Sequence, residues 1–283
     1  MRPLLEASGV QRTVLVQTIP SLDETRDFLA TAAATDFIAG VVGWVDLTAA
    51  SIGETVAKLR EGPGGGLLVG IRHQVHDEPD PSWLLRPAVQ HGIRAVGEAG
   101  LVYDLLVRTR ELPAALQTVR SHPHMRFVID HIAKPQIVAE VRDPAWEYAM
   151  SPFVDCANVS CKLSGMVTEA GWTDWTPEDL RPYIERALEW FGPDRCLFGS
   201  DWPVCLLAAT YDQVIDALKD GLDGLDAAGQ DAVFGGNAIR LYGLNVETGS
   251  GDLVDHRRPP LVDPAGLVDH QRGGPRQDER GDD

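Results

Sequence analysis

Short apolar or β-branched runs recur along this chain, and longer segments of helical period separate them. The runs are Thr13–Thr18, Ala39–Val45, Leu67–Arg72, Leu101–Val107, Arg126–Ile129, Val159–Leu163 and Arg195–Gly199. A short run that is almost wholly apolar predicts a strand covered on both faces, the condition of a parallel strand flanked by helices. Helical spacing follows in Pro81–Glu98, Glu111–Arg120 and Pro177–Phe191, and again in Tyr211–Leu222 and Ala227–Tyr242 after the last run. Pro177, with acids behind it, suits a first helical turn. The alternation predicts an α/β chain, either an open doubly wound sheet or a TIM-like (β/α) barrel. In a barrel, polar residues gather at the strand C-termini. Here Gln17, Asp46, Arg72 with His73, Asp104, Asp130 with His131, Lys162 and Asp201 end the runs, so the barrel is expected, over residues 1–244.

After Leu244 the character changes. Gly, Pro, Asp and Arg replace periodic apolar residues, with a small Leu-Val-Asp echo at Leu253, Leu261 and Leu267. Residues 245–283 are expected to be a disordered tail.

Composition excludes several functions. A formal charge of −17 without any basic run argues against a nucleic-acid partner, because phosphate binding needs clustered positive charge. No apolar stretch approaches the roughly 20 residues of a membrane span. Met1 to Val10 reads as an amphipathic helix fragment with Glu6 inside it, unlike a signal peptide. Cys156, Cys161, Cys196 and Cys205 lack CxxC spacing and the density of a disulfide scaffold. A soluble, cytoplasmic protein with free thiols is expected.

The candidate chemistry sits at the run ends. Phe198-Gly199-Ser200-Asp201-Trp202-Pro203 places a carboxylate where proline turns the chain out of the sheet. Asp201 reads as a general base or as a turn cap, and Trp202 would shield it from water. His131, after Asp130, reads as a metal ligand, a carbonyl polariser, a substrate contact or a hydrogen-bonded structural residue. Arg72 and His73 offer a planar cation beside an imidazole, suited to an oxyanion; a surface salt bridge is the plainer reading of Arg72. Lys162, inside an apolar run, must point into the barrel mouth or be paired, since a buried lone ammonium is very costly.

Other groups carry less. His122-Pro123-His124 has the spacing of two ligands to one metal, but it precedes a strand and so falls at the non-catalytic end of a barrel. His91 lies in a helix, His256 and His270 in the tail; His76 lies near Arg72. Gly62 to Gly66 comes before a strand and lacks the following Lys-Ser/Thr of a phosphate loop.

Taken together, Gly70–Pro87 (GIRHQVHDEPDPSWLLRP), Phe127–Pro135 (FVIDHIAKP), Cys161–Gly165 (CKLSG) and Leu197–Val204 (LFGSDWPV) resemble the amidohydrolase-related sugar-lactone hydrolases over about Met1 to Leu244. The resemblance implies a TIM-like barrel of the metal-dependent-hydrolase type and a fuconolactone- or rhamnonolactone-like substrate. It implies Asp201 as general base, His131 as an active-site histidine, and Arg72, His73 and Lys162 at the substrate. Tyr103, Trp202, Ser164 and His76 are expected to complete the substrate site.

There is a departure. Family members begin with a strand ending in His-x-His, whereas this chain opens with MRPLLEASGVQRTVLVQT, which resembles the helix and strand that come after it. A translation start assigned too late is the expected explanation. Tyr103 and Asp104 also stand where many metal-dependent relatives have a histidine. A divalent metal such as zinc, with His131 and Asp201 as candidate ligands, is therefore expected only if the His-x-His were restored.

The expected mechanism has Asp201 draw a proton from water as that water attacks a lactone carbonyl. Arg72, His73 and Lys162 stabilise the oxyanion, and His131 positions water or a weakly held metal. The alternatives are a decarboxylase of the same fold, or a truncated barrel that only binds ligand.

Overall fold

The computed structural model describes residues 1–138 and 142–246; most of the expected tail lies outside them. Seven strands form one parallel sheet in sequence order: β1 (Thr13–Val16), β2 (Ile38–Gly43), β3 (Leu68–Gln74), β4 (Val102–Leu106), β5 (Phe127–Ile129), β6 (Val159–Leu163) and β7 (Cys196–Phe198). Each neighbouring pair is parallel, so every connection must cross over, and helices make the crossings. These are α2 (Leu22–Ala33), α3 (Ile52–Glu61), α4 (Pro87–Glu98), α5 (Leu112–Ser121), α6 (Pro144–Met150) and α7 (Pro177–Phe191); α1 (Arg2–Ala7) precedes β1, and α8 (Tyr211–Gly221), α9 (Ala227–Asp231) and α10 (Asn237–Tyr242) follow β7. The sheet curls as a barrel wall, with β1 and β7 as its two edges. Leu5 of α1 packs with Tyr211 and Ile215 of α8, beside Phe37 and Phe198, and so joins the two edges from outside.

Two expected helices are divided. Pro81–Glu98 breaks into a 3₁₀ turn, Trp83–Leu85, and α4, because Arg86 before Pro87 is held extended (φ −61°, ψ 134°). Ala227–Tyr242 contains a π-helical turn at Ala232–Gly236 between α9 and α10, where Phe234 meets Phe198 at 5.4 Å. Helix α7 has the expected bounds, with Pro177 in its first turn and a Thr176–Asp179 capping box.

Alternation along the strands decides what each face carries. Ile71, Tyr103, Leu105, Phe127, Ile129, Val159 and Cys161 face the helices and build the main core. Val42, Val102, Val128 and Leu197 face the barrel interior with Tyr242 and Leu244, and Val246 packs against them. Asn237 ties this floor to the start of β7 by donating to the carbonyls of Pro193 and Cys196, both at 2.6 Å. Moving two residues up from that apolar layer, the same inward parity turns charged, at Arg72, Asp104, Asp130 and Lys162.

Candidate active site

Those four residues form one buried network. Lys162 Nζ donates to Asp104 Oδ2 at 2.6 Å and pairs with Asp130 Oδ1 at 2.6 Å. Arg72 donates to Asp130 Oδ2 at 2.8 Å and through Nε to Gln17 Oε1 at 2.8 Å, and also meets the Gln17 carbonyl. From below, Tyr242 donates to Asp104 Oδ2 at 2.8 Å. Two cations face two carboxylates, so the layer is neutral overall. Burial opposes ionisation of Asp130, yet Lys162 and Arg72 hold its carboxyl well below the ordinary range. Burial raises Asp104 to about 6, against the pull of Lys162.

Above this layer stand His131 and Asp201. The chain leaves β5 through four consecutive left-handed residues, His131, Ile132, Ala133 and Lys134, with φ of 53°, 44°, 59° and 51°. Each costs about 1–2 kcal/mol for an L-residue, and surrounding contacts hold them. Ile132 and Ala133 are fully buried, Trp146 Nε1 donates to the Ile132 carbonyl at 2.6 Å, and Lys134 N donates to the His131 carbonyl. Strain of this kind collects at functional sites. Asp201 too is left-handed (φ 55°), braced by Cys205 N donating to its carbonyl at 2.9 Å.

His131 Nδ1 is hydrogen-bonded to Ser164 Oγ at 2.9 Å, and its Nε2 lies 3.6 Å from Asp201 Oδ1. Gly165 makes room for the ring: a Cβ there would come within 2.7 Å of the imidazole, and its φ of +63° favours glycine. Burial pushes the His131 pKa down to about 3, so the ring is neutral. Burial also pushes Asp201 up to about 6, opposed by Lys134 and Arg72 and reinforced by Asp130 and Glu169. At neutral pH Asp201 is an ionised carboxylate with an unusual affinity for a proton, which is the equipment of a general base.

Of the expected site residues, Arg72, His131, Lys162, Ser164 and Asp201 converge on this mouth. Ser164 is 2 % exposed, and its hydroxyl is engaged with the imidazole. Trp202 follows Asp201 and is 40 % exposed. His76 sits on the 3₁₀ turn after β3, where burial, together with the charges of Lys134 and Arg108, lowers its pKa. Asp46 is exposed and accepts from Thr48, a turn role.

Two expectations are corrected. Tyr103 faces the helices, fully buried with its ring edge against Phe127, because its neighbour Asp104 takes the inward position. His73 alternates with Arg72 in the same way. Trp44 Nε1 donates to its Nδ1 at 3.0 Å, so the proton is on Nε2 and is given to Glu78 Oε1 at 2.8 Å. The ring stacks on Trp83 at 4.3 Å, leaving no nitrogen for an oxyanion. His122 bonds Gln90 at the other end of the sheet.

Gln17, Asp104 and Asp130, read from the sequence only as strand-end residues, belong to the site, as do Lys134 and Glu169, which the sequence does not single out. Parity relative to Arg72 and Lys162 is the signal that would have found the two aspartates. Lys134 and Glu169 pair at 2.8 Å across the loops after β5 and β6.

A catalytic zinc ordinarily takes three protein ligands and keeps one open position. Among the described residues no group of three His, Cys, Asp or Glu side chains is placed to hold a metal. His131 Nε2 and Asp201 Oδ1 supply two, so the described residues fall one ligand short.

A curled parallel sheet with ionisable residues at its C-terminal rim defines a barrel hydrolase of the amidohydrolase type. The chain belongs to the amidohydrolase family, whose model matches residues 1–244. It is similar to the L-fucono-1,5-lactonase of Burkholderia ambifaria, 42 % identical over 260 residues, covering 89 % of this chain and 86 % of that one. The L-fucono-1,5-lactonase of Burkholderia multivorans is 38 % identical over 254 residues, 86 % and 84 % of the two chains. A crystal structure of an amidohydrolase from Burkholderia multivorans, with bound zinc, superposes with a TM-score of 0.81 at 36 % identity, covering 86 % of this chain and 87 % of that one. Among the described residues no helix is long and apolar enough to cross a membrane.

Proposed function

We propose that this chain is a hydrolase that opens the cyclic ester of a sugar acid, with a six-membered aldonolactone of the L-fucono-1,5-lactone kind as substrate. The names of its relatives support the substrate class. The observation that carries the reading is Asp201, a carboxylate raised to about 6 by burial and facing a neutral imidazole at 3.6 Å.

Asp201 takes a proton from water, which His131 Nε2 orients. The water oxygen bonds to the lactone carbonyl carbon, and the carbonyl π pair moves onto its oxygen. Arg72 and Lys162 each keep N–H groups beyond those bound to Gln17, Asp130 and Asp104, and these face the developing oxyanion. Such a donor contributes about 3–4 kcal/mol. The ring C–O bond then breaks, Asp201 returns its proton to the ring oxygen, and the product is the open hydroxy acid. His76 and Trp202 line the rim. Four free cysteines, all buried, suit a reducing compartment such as the cytoplasm.

The test is a pH-indicator screen of sugar lactones, run once with chelator and once with added zinc. Acid release from a 1,5-aldonolactone in either arm supports the reading; none in both would end it.

A further inference from the structure

Once Arg72 and Lys162 are paired with Asp130 and Asp104, and Lys134 with Glu169, the Asp201 carboxylate is left without a cation of its own. A site so arranged repels anions and admits a neutral, polar molecule. The Lys134–Glu169 pair has no part in the barrel layer below. It is nonetheless drawn in from solvent, its side chains only 14 % and 16 % exposed, at a desolvation cost that a surface bridge avoids.

The left-handed turn after β5 explains its position. In a 3₁₀-like turn, residues i and i+3 eclipse one another, so the turn that delivers His131 to Asp201 carries Lys134 to the same side. Glu169 arrives from the loop after β6, which Ile137 N holds by donating to the Glu169 carbonyl at 3.1 Å. The Nζ–Oε1 contact at 2.8 Å occupies one ammonium N–H and one carboxylate oxygen. Among the described residues neither side chain makes another hydrogen bond, so two N–H donors and Oε2 remain side by side. That set matches two neighbouring ring hydroxyls, one accepting from Nζ and the other donating to Oε2.

We infer that Lys134 and Glu169 form a hydroxyl-reading subsite that selects polyhydroxylated lactones; this rests on the lactone-hydrolase reading above.

The experiment compares kcat/KM for L-fucono-1,5-lactone with that for δ-valerolactone, the same ring without hydroxyls, in the wild type, Lys134→Met and Glu169→Gln. Each variant should lower the ratio of the two efficiencies by about 10- to 100-fold, the worth of a charged hydrogen bond, with most of the loss in KM for the hydroxylated substrate. Equal losses on both substrates, or no loss on either, would overturn the inference. If a single variant melts below the assay temperature, the double variant Lys134→Met/Glu169→Gln, which leaves no unpaired charge, must show the same fall in ratio. A wild type that opens both lactones with variants of unaltered ratio defeats this subsite alone. A wild type that opens neither lactone defeats the hydrolase reading and the subsite with it.

Discussion

Replacing Asp201 by asparagine should abolish hydrolysis and, at the same time, make the protein more stable at neutral pH. The carboxyl is 14 % exposed, and burial raises its pKa from the ordinary 3.8 to about 6. At 1.36 kcal/mol per unit, that shift is worth about 3 kcal/mol. A carboxyl whose folded pKa lies above its unfolded value binds its proton more tightly in the folded state. Its contribution to stability is therefore fully present below about pH 4, is lost as pH rises to about 6, and stays lost above. Asparagine keeps the shape and never ionises. At pH 7.5 Asp201→Asn should thus exceed the wild type by up to about 3 kcal/mol, or about 5–10 °C in Tm for a domain of this size, whereas at pH 4 the two should melt together. Thermal melts at both pH values, paired with lactone hydrolysis at pH 7.5, make the test. A variant no more stable than the wild type at pH 7.5, or one that keeps its turnover, would refute the reasoning.

Other substitutions probe the supports of the site. Gly165→Ala sets a Cβ within 2.7 Å of the His131 ring at a φ of +63°; loss of hydrolysis by at least about tenfold is expected, since small displacements of catalytic groups carry large rate costs, and steady-state kinetics would show it. Asp130→Asn leaves Arg72 and Lys162 short of a buried counter-charge and should cost about 3–5 kcal/mol in urea unfolding. Tyr103→Phe removes a buried hydroxyl that has no hydrogen-bond partner among the described residues; unchanged kinetics and equal or greater stability, by up to about 1 kcal/mol, are expected from melts and assays.

Much of the fold was legible because a parallel strand buried on both faces must be apolar nearly throughout, and Ile38–Gly43 and Phe127–Ile129 obey that rule. The convergence of Arg72, His131, Lys162 and Asp201 was legible for a related reason: polar residues ending inward-facing strands have one rim to share. Adjacent residues were harder to separate. His73 beside Arg72, and Tyr103 beside Asp104, belong to opposite faces, and only the register of β3 against β4, with Arg72 opposite Asp104, fixes which faces inward. Lys134 escaped notice because a run of four left-handed residues, one of them the β-branched Ile132, has no local sequence signal. Trp146, Ile132 and Ala133 impose it from the tertiary packing.

The most direct measurement is kcat/KM for L-fucono-1,5-lactone against pH in the wild type. With Asp201 as the base, activity should fall on the acid side with a midpoint near pH 6, matching its raised pKa. A flat profile down to pH 4, or a midpoint at the ordinary carboxylate value, would contradict a buried Asp201 as the group that takes the proton from water.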